Sequence, residues 1–127
     1  MSGIDGHGTA LFEIDHRENE TRKTMLMHVV LATWKPDVSA SDIAGIRTAL
    51  ERFAEEIPGI RDVRAGADLG LREDNADFAM TAVFADVDAL DRFVEHPAHV
   101  RVSARLAPLV ASVHRIQFPL AGAEPVG

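Results

Sequence analysis

From Met25 to Trp34 the chain is almost continuously apolar, broken only by His28 and Thr33 and stopped by Lys35-Pro36. A run of this kind, rich in branched side chains, predicts a strand buried on both faces. Ser39 with Asp42 three residues on predicts a helix start of the capping-box type. Ile43, Ile46, Leu50, Phe53 and Ile57 then recur at spacings of three and four, one apolar stripe on a helix that Pro58-Gly59 ends. Ile60 to Leu69 alternates, with Val63, Ala65, Ala67 and Leu69 opposed to Asp62, Arg64 and Asp68, as in a half-exposed strand. Gly70 to Ala76 is a polar loop. Asp77 to Ala85 predicts a strand without charge on either face, the sets being Phe78/Met80/Ala82/Phe84 and Ala79/Thr81/Val83. Asp86 caps a short helix carrying Leu90, Phe93 and Val94, and Pro97 opens another that reaches toward Val110. Val113 to Phe118 closes the pattern as a strand with Arg115 and Gln117 on one face.

The order strand, helix, strand, strand, helix pair, strand is that of an α+β, ferredoxin-like βαββαβ subunit. Its first and third strands lie centrally, which agrees with the two strands that are apolar on both faces. Helices cover one face of such a sheet. The other, with Met27, Val29, Leu31, Ala79, Thr81 and Val83, needs a cover of its own. A second copy packed sheet against sheet, giving a homodimer in the form of a dimeric α+β barrel, is the expectation.

The ends differ from this domain of residues 25–118. Residues 1–24 contain Gly3, Gly6, Gly8 and a charged run from Asp15 to Glu20, and read as an N-terminal extension in which Thr9 to Ile14 could form a short strand. Residues 119–127 read as a frayed tail. The whole chain has 127 residues, 46% hydrophobic and 26% charged, which suits one globular domain. Its net charge of −7 offers no basic field for nucleic acid or anionic lipid, so neither partner is expected. The absence of Cys excludes disulfide scaffolds, thiolate metal centres and cysteine nucleophiles. No signal-like or bilayer-length apolar segment is visible, and a cytoplasmic protein is the expectation.

Candidate chemistry rests on histidine. In His96-Pro97-Ala98-His99, His96 as N-cap and Pro97 as first helical residue place His99 in the first turn, where the positive helix end disfavours an imidazolium. A neutral imidazole there can act as general base. The same spacing also fits a capping His96 and a His99 bonded to a carbonyl, and both readings stand at this point. Two histidines three apart can share a helix face for a metal, but no third ligand follows, so no metal site is expected. His28, mid-strand among apolar residues, needs a partner or a cavity. By parity it shares a face with Val30, Ala32 and Trp34, assigned to the helix side with Phe78, Met80 and Phe84. Trp34, Phe78 and Phe93 either line an apolar pocket there or are simply core. Gly45, mid-helix, marks either a close backbone approach or nothing selected.

Met27-His28-Val29-Val30-Leu31, Glu56-Ile57-Pro58-Gly59-Ile60 and Phe93-Val94-Glu95-His96-Pro97-Ala98-His99 together resemble the stress-responsive A/B barrel domain, or Dabb family, across Met25 to Phe118. The resemblance implies two ferredoxin-like subunits joined sheet to sheet. Most members have no assigned reaction. Some plant members are stress-induced stable oligomers, and a few cyclise polyketides without cofactor or metal. In those cyclases the second His of the His-Pro-Ala-His run is the base, here His99, and a Tyr six residues earlier cooperates, here Phe93. The opening-strand His matches His28, and a further pocket His corresponds to Phe78. The leading expectation is therefore a homodimer with a pocket for a small, largely apolar carbonyl compound and cofactor-free lyase, cyclase or isomerase chemistry. His99 is then the base, His28 orients substrate or base, and Phe93, Phe78, Trp34 and His96 line the pocket. The rival expectation is a non-enzymatic, stress-responsive oligomer with structural histidines. A cofactor-independent monooxygenase is a third, poorly served by one Trp and no Tyr.

Overall fold

The computed structural model describes residues 23–120; the readings made for the N-terminal extension, and for the tail beyond Leu120, lie outside them. Strand β1 (Leu26–Trp34) is followed by helix α1 (Ala40–Glu51), a single turn α2 (Phe53–Glu56) and strand β2 (Ile60–Ala67). Strand β3 (Phe78–Phe84), helices α3 (Val87–Glu95) and α4 (Pro97–Leu106), a 3₁₀ turn (Ala107–Leu109) and strand β4 (Val110–Pro119) complete the fold. The sheet is four-stranded and antiparallel in the order β2-β3-β1-β4, so the doubly apolar strands are indeed central and the fold is ferredoxin-like.

Local chemistry accounts for most element ends. Ser39 Oγ accepts from the Asp42 N–H at 3.0 Å while the Ser39 N–H reaches Asp42 Oδ2 at 3.5 Å, a capping box that starts α1. Asp86 Oδ1 accepts from the Ala89 N–H at 2.8 Å and starts α3. Gly59 has φ +92°, and a Cβ there would lie 2.7 Å from Ala89 Cβ, so both the turn and the close approach of α3 require glycine.

Three boundaries differ from expectation. The helix expected to run through Ile57 breaks at Arg52, and the separate turn α2 still buries Phe53 and Ile57. Strand β2 ends at Ala67, leaving Leu69 84% exposed rather than on the strand's apolar face. The cause is Asp68, whose carboxylate accepts from the Gly70 N–H at 2.8 Å and the Asn75 side-chain amide at 3.1 Å, turning the chain off the sheet. Helix α4 stops at Leu106 because Pro108 lacks the N–H that would bond to the Ala104 carbonyl, and β4 begins at Val110.

Register then decides which side chains face the helices. His28 pairs with Ala82 and Gln117, and Val30 with Met80 and Arg115. A register shift between Ile60 and Asp62 lets both Ile60 and Val63 turn to the helix side. The aromatic centre of that side is Phe53, Phe84 and Phe93, all buried, with Phe93 centroids 5.4 and 5.1 Å from the other two in T-shaped contacts. Among the described residues nothing covers the opposite face: Leu31, Ile116 and Phe118 are 40%, 57% and 43% exposed.

Candidate active site

The short link between α3 and α4 builds one side of the site. His96 is the N-cap of α4 and its Nδ1 accepts from the Ala98 N–H at 3.1 Å, which holds Pro97 at the first helical position. One turn on, His99 Nδ1 lies 3.0 Å from the Val94 carbonyl. A carbonyl only accepts, so Nδ1 carries a proton, and in the neutral ring Nε2 then keeps its lone pair. Nε2 lies 3.3 Å from Ser103 Oγ, whose hydroxyl donates to it.

His28 is set in the complementary way. It is 6% exposed and, among the described residues, the buried polar side chain of an otherwise apolar core. Its Nδ1 lies 2.9 Å from Gln117 Nε2, an amide nitrogen that can only donate. The His28 proton is therefore on Nε2, and its ring offers an N–H where that of His99 offers a lone pair. Phe84 and Phe93 meet the His28 ring edge-on at centroid distances of 5.9 and 6.0 Å.

Both histidines line one cavity of about 80 Å³, partly open to solvent, between the sheet and helices α1, α2 and α4. Its walls include Val30, Phe53, Phe78, Met80, Phe93 and Val102, and Ser103 and Arg115 add polar groups. Of the residues expected to bind a substrate, Phe78 and Phe93 are there. Trp34 and His96 are not: Trp34 packs on Phe78 at a centroid distance of 5.4 Å, and the His96 ring is spent on the helix cap. Ser103, Arg115 and Gln117 were not singled out as site residues. Strand parity puts Arg115 and Gln117 on one face, but only the β1–β4 register shows that this face carries His28.

Burial keeps both rings neutral. Desolvation, then the Arg115 cation and then His99, push the His28 pKa from 6.5 down to about 4. For His99 the main cause is again burial, reinforced by Arg115 and opposed by the Val94 hydrogen bond, with a net shift downward. The His28 shift has a consequence for stability: below pH 6.5 the unfolded chain takes up a proton that the folded one refuses. The contribution is complete above pH 6.5 and is lost as the pH falls toward 4, on the order of 3 kcal/mol in all. In urea unfolding at pH 7 and 4.5 (round values, about half a unit from each limit), the wild type is expected to lose more stability than His28→Gln by most of that amount. Parallel losses in the two proteins would refute it.

Among the described residues no group of three or more His, Asp or Glu is placed to hold a metal ion, and no helix is long and apolar enough to cross a membrane. The sequence profile described as the stress responsive A/B barrel domain, Dabb, matches residues 26–119. The chain belongs to the Dabb family. Solved structures similar to this Dabb chain include a dimeric ferredoxin-like protein of unknown function from Thermobifida fusca, 31% identical, with a TM-score of 0.72 over 78% of this chain and 93% of that one. A Dabb family protein from Mesorhizobium loti is 23% identical, with a TM-score of 0.65 over 82% and 99% of the two chains. A hydroxynitrile lyase from Passiflora edulis shares the fold at 19% identity, with a TM-score of 0.71 over 81% and 99%. A comparison with curated protein sequences finds no significant match.

Proposed function

We propose that this Dabb protein is a homodimer in which each subunit uses His99 to remove a proton next to the carbonyl of a small, largely apolar compound. The reaction class is a cofactor-free lyase, cyclase or isomerase. The observation that carries the reading is the pair of opposite tautomers in one cavity. His99 Nε2 has a lone pair to accept the proton, and His28 has an Nε2–H to bond the oxygen on which negative charge develops. Desolvation keeps His99 in its basic form at neutral pH. Phe93, at a centroid distance of 4.3 Å from His99, stands where the polyketide cyclases place a cooperating Tyr, so Ser103 is the hydroxyl beside the base here. The lyase from Passiflora edulis is consistent with such chemistry on this fold.

The test is proton exchange. Small methyl ketones and thioesters incubated with the protein in D₂O are followed by proton NMR, and loss of the signal of the hydrogens next to the carbonyl is expected. No exchange with any of them, together with a cavity that binds none, would favour the structural oligomer instead.

The homodimer rests on the uncovered sheet face, where Leu31, Ile116 and Phe118 stand exposed, and on dimeric relatives. Ile116→Glu would set two carboxylates in an apolar interface related by a twofold axis. A wild-type dimer by light scattering and a folded monomer for the variant are expected; a wild-type monomer would refute the assembly.

A further inference from the structure

The charge of the cavity is unbalanced. Arg115 lines it, yet makes no hydrogen bond or ion pair within the described residues, and none of the lining residues is acidic. The two histidines do not add to or offset this charge at neutral pH: His28 Nδ1 accepts from the Gln117 amide and so carries no proton, and burial disfavours the charged form of His99. An apolar chamber with one unpaired guanidinium is thus built into a chain whose net charge is −7. The long-range field of such a chain repels anions, so any preference for them has to arise locally.

Placement shows that Arg115 belongs to this chamber. On β4 it stands two residues before Gln117, on the same side of the strand, and Gln117 holds His28. The residue paired with Arg115 across β1 is Val30, itself a wall of the cavity. Arg115 is exposed, so it stands at the open side of the cavity and keeps contact with solvent. A neutral ligand displaces part of its water without returning charge, whereas a carboxylate answers it with two parallel charge-assisted hydrogen bonds. The walls beyond it, Phe53 and Phe93 among them, suit hydrocarbon.

We infer that the ligand of this cavity is an amphipathic organic acid, its carboxylate held by Arg115 and its apolar body against Phe53 and Phe93. The inference rests on the reading of the cavity as a ligand site and names the class of compound that fills it. It makes Arg115 a specificity residue, separate from proton transfer at His99.

Two probes of one shape separate charge from hydrophobicity: hexanoate and hexanamide, titrated at neutral pH while the ring protons of His28 and His99 are followed by NMR. Hexanoate is expected to bind at least tenfold more tightly than hexanamide (about one decade, as for a single charged hydrogen-bonded contact). Arg115→Gln should abolish that preference by weakening hexanoate binding, and Arg115→Lys should retain part of it by keeping charge without the fork. His99→Ala should keep the preference. Equal affinities of the wild type for the two probes overturn the anion inference while leaving the cavity a ligand site. A preference that survives in Arg115→Gln also overturns it, because the charge then recognised is not at residue 115. No ring-proton shift with either probe at saturating concentration overturns both this inference and the ligand-site reading.

Discussion

His99→Ala is expected to slow exchange of the proton next to the substrate carbonyl by about 10²- to 10⁴-fold, the usual contribution of a positioned general base. The fold should survive the change. His99 is only partly buried, and its removal costs a hydrogen bond to Val94 and contact with Phe93, while the His96 cap that starts α4 is untouched. The dependence on pH distinguishes a base from a merely structural ring. Burial and the Arg115 charge lower the His99 pKa below 6.5, so the rate should rise with pH and level off with an inflection on the acid side of that value. Turnover by the variant equal to that of the wild type would end the proposal, as would an inflection above 6.5. The measurement is the initial rate of deuterium incorporation against pH, for wild type and variant at one protein concentration.

Phe93→Ala is expected to cost about 3–5 kcal/mol of stability, the range for removing a buried aromatic ring from a packed core. Phe93 is 2% exposed and touches more than one layer of the structure: Phe84 on β3, Phe53 on α2, His28 on β1 and His99 on α4. Neighbours drawn from separate elements cannot all close on the space left behind, which places the site toward the upper end. The same ring walls the cavity, so the variant should also widen it and weaken discrimination among ligands. Urea unfolding at a fixed protein concentration checks the value, since association of subunits makes the midpoint concentration-dependent. A loss below about 1.5 kcal/mol, typical of well-tolerated core exchanges, would show that Phe93 is not the keystone of the aromatic cluster.

His28, His96 and His99 illustrate how the sequence and the structure divide the site between them. That His96 caps a helix and His99 sits one turn inside it follows from four consecutive residues, because a proline after a capping side chain constrains backbone within a single turn. That His28 faces the helix side follows from strand alternation. Neither rule reaches the partners. Gln117 meets His28 across 89 positions of chain, and Arg115 enters the cavity only because β4 is paired in one particular register with β1. Trp34 has the parity of a pocket residue but stands at the end of β1, where Phe78 rather than the cavity receives it.

By itself, the sequence determined the order of the elements, the caps at Ser39, Asp86 and His96, the central position of β1 and β3, and the place of His28 on the helix side of the sheet. These depend on hydrophobic period and on hydrogen bonds within a few residues, interactions whose geometry the local backbone specifies. Tertiary structure alone decided the break at Arg52, the departure of the chain from β2 at Asp68, the tautomers of the two rings and the arrival of Arg115 and Gln117. Each of these depends on atoms distant along the chain being brought within hydrogen-bonding or van der Waals range, and a pairing register that one residue of slip would reverse cannot be read from either strand alone.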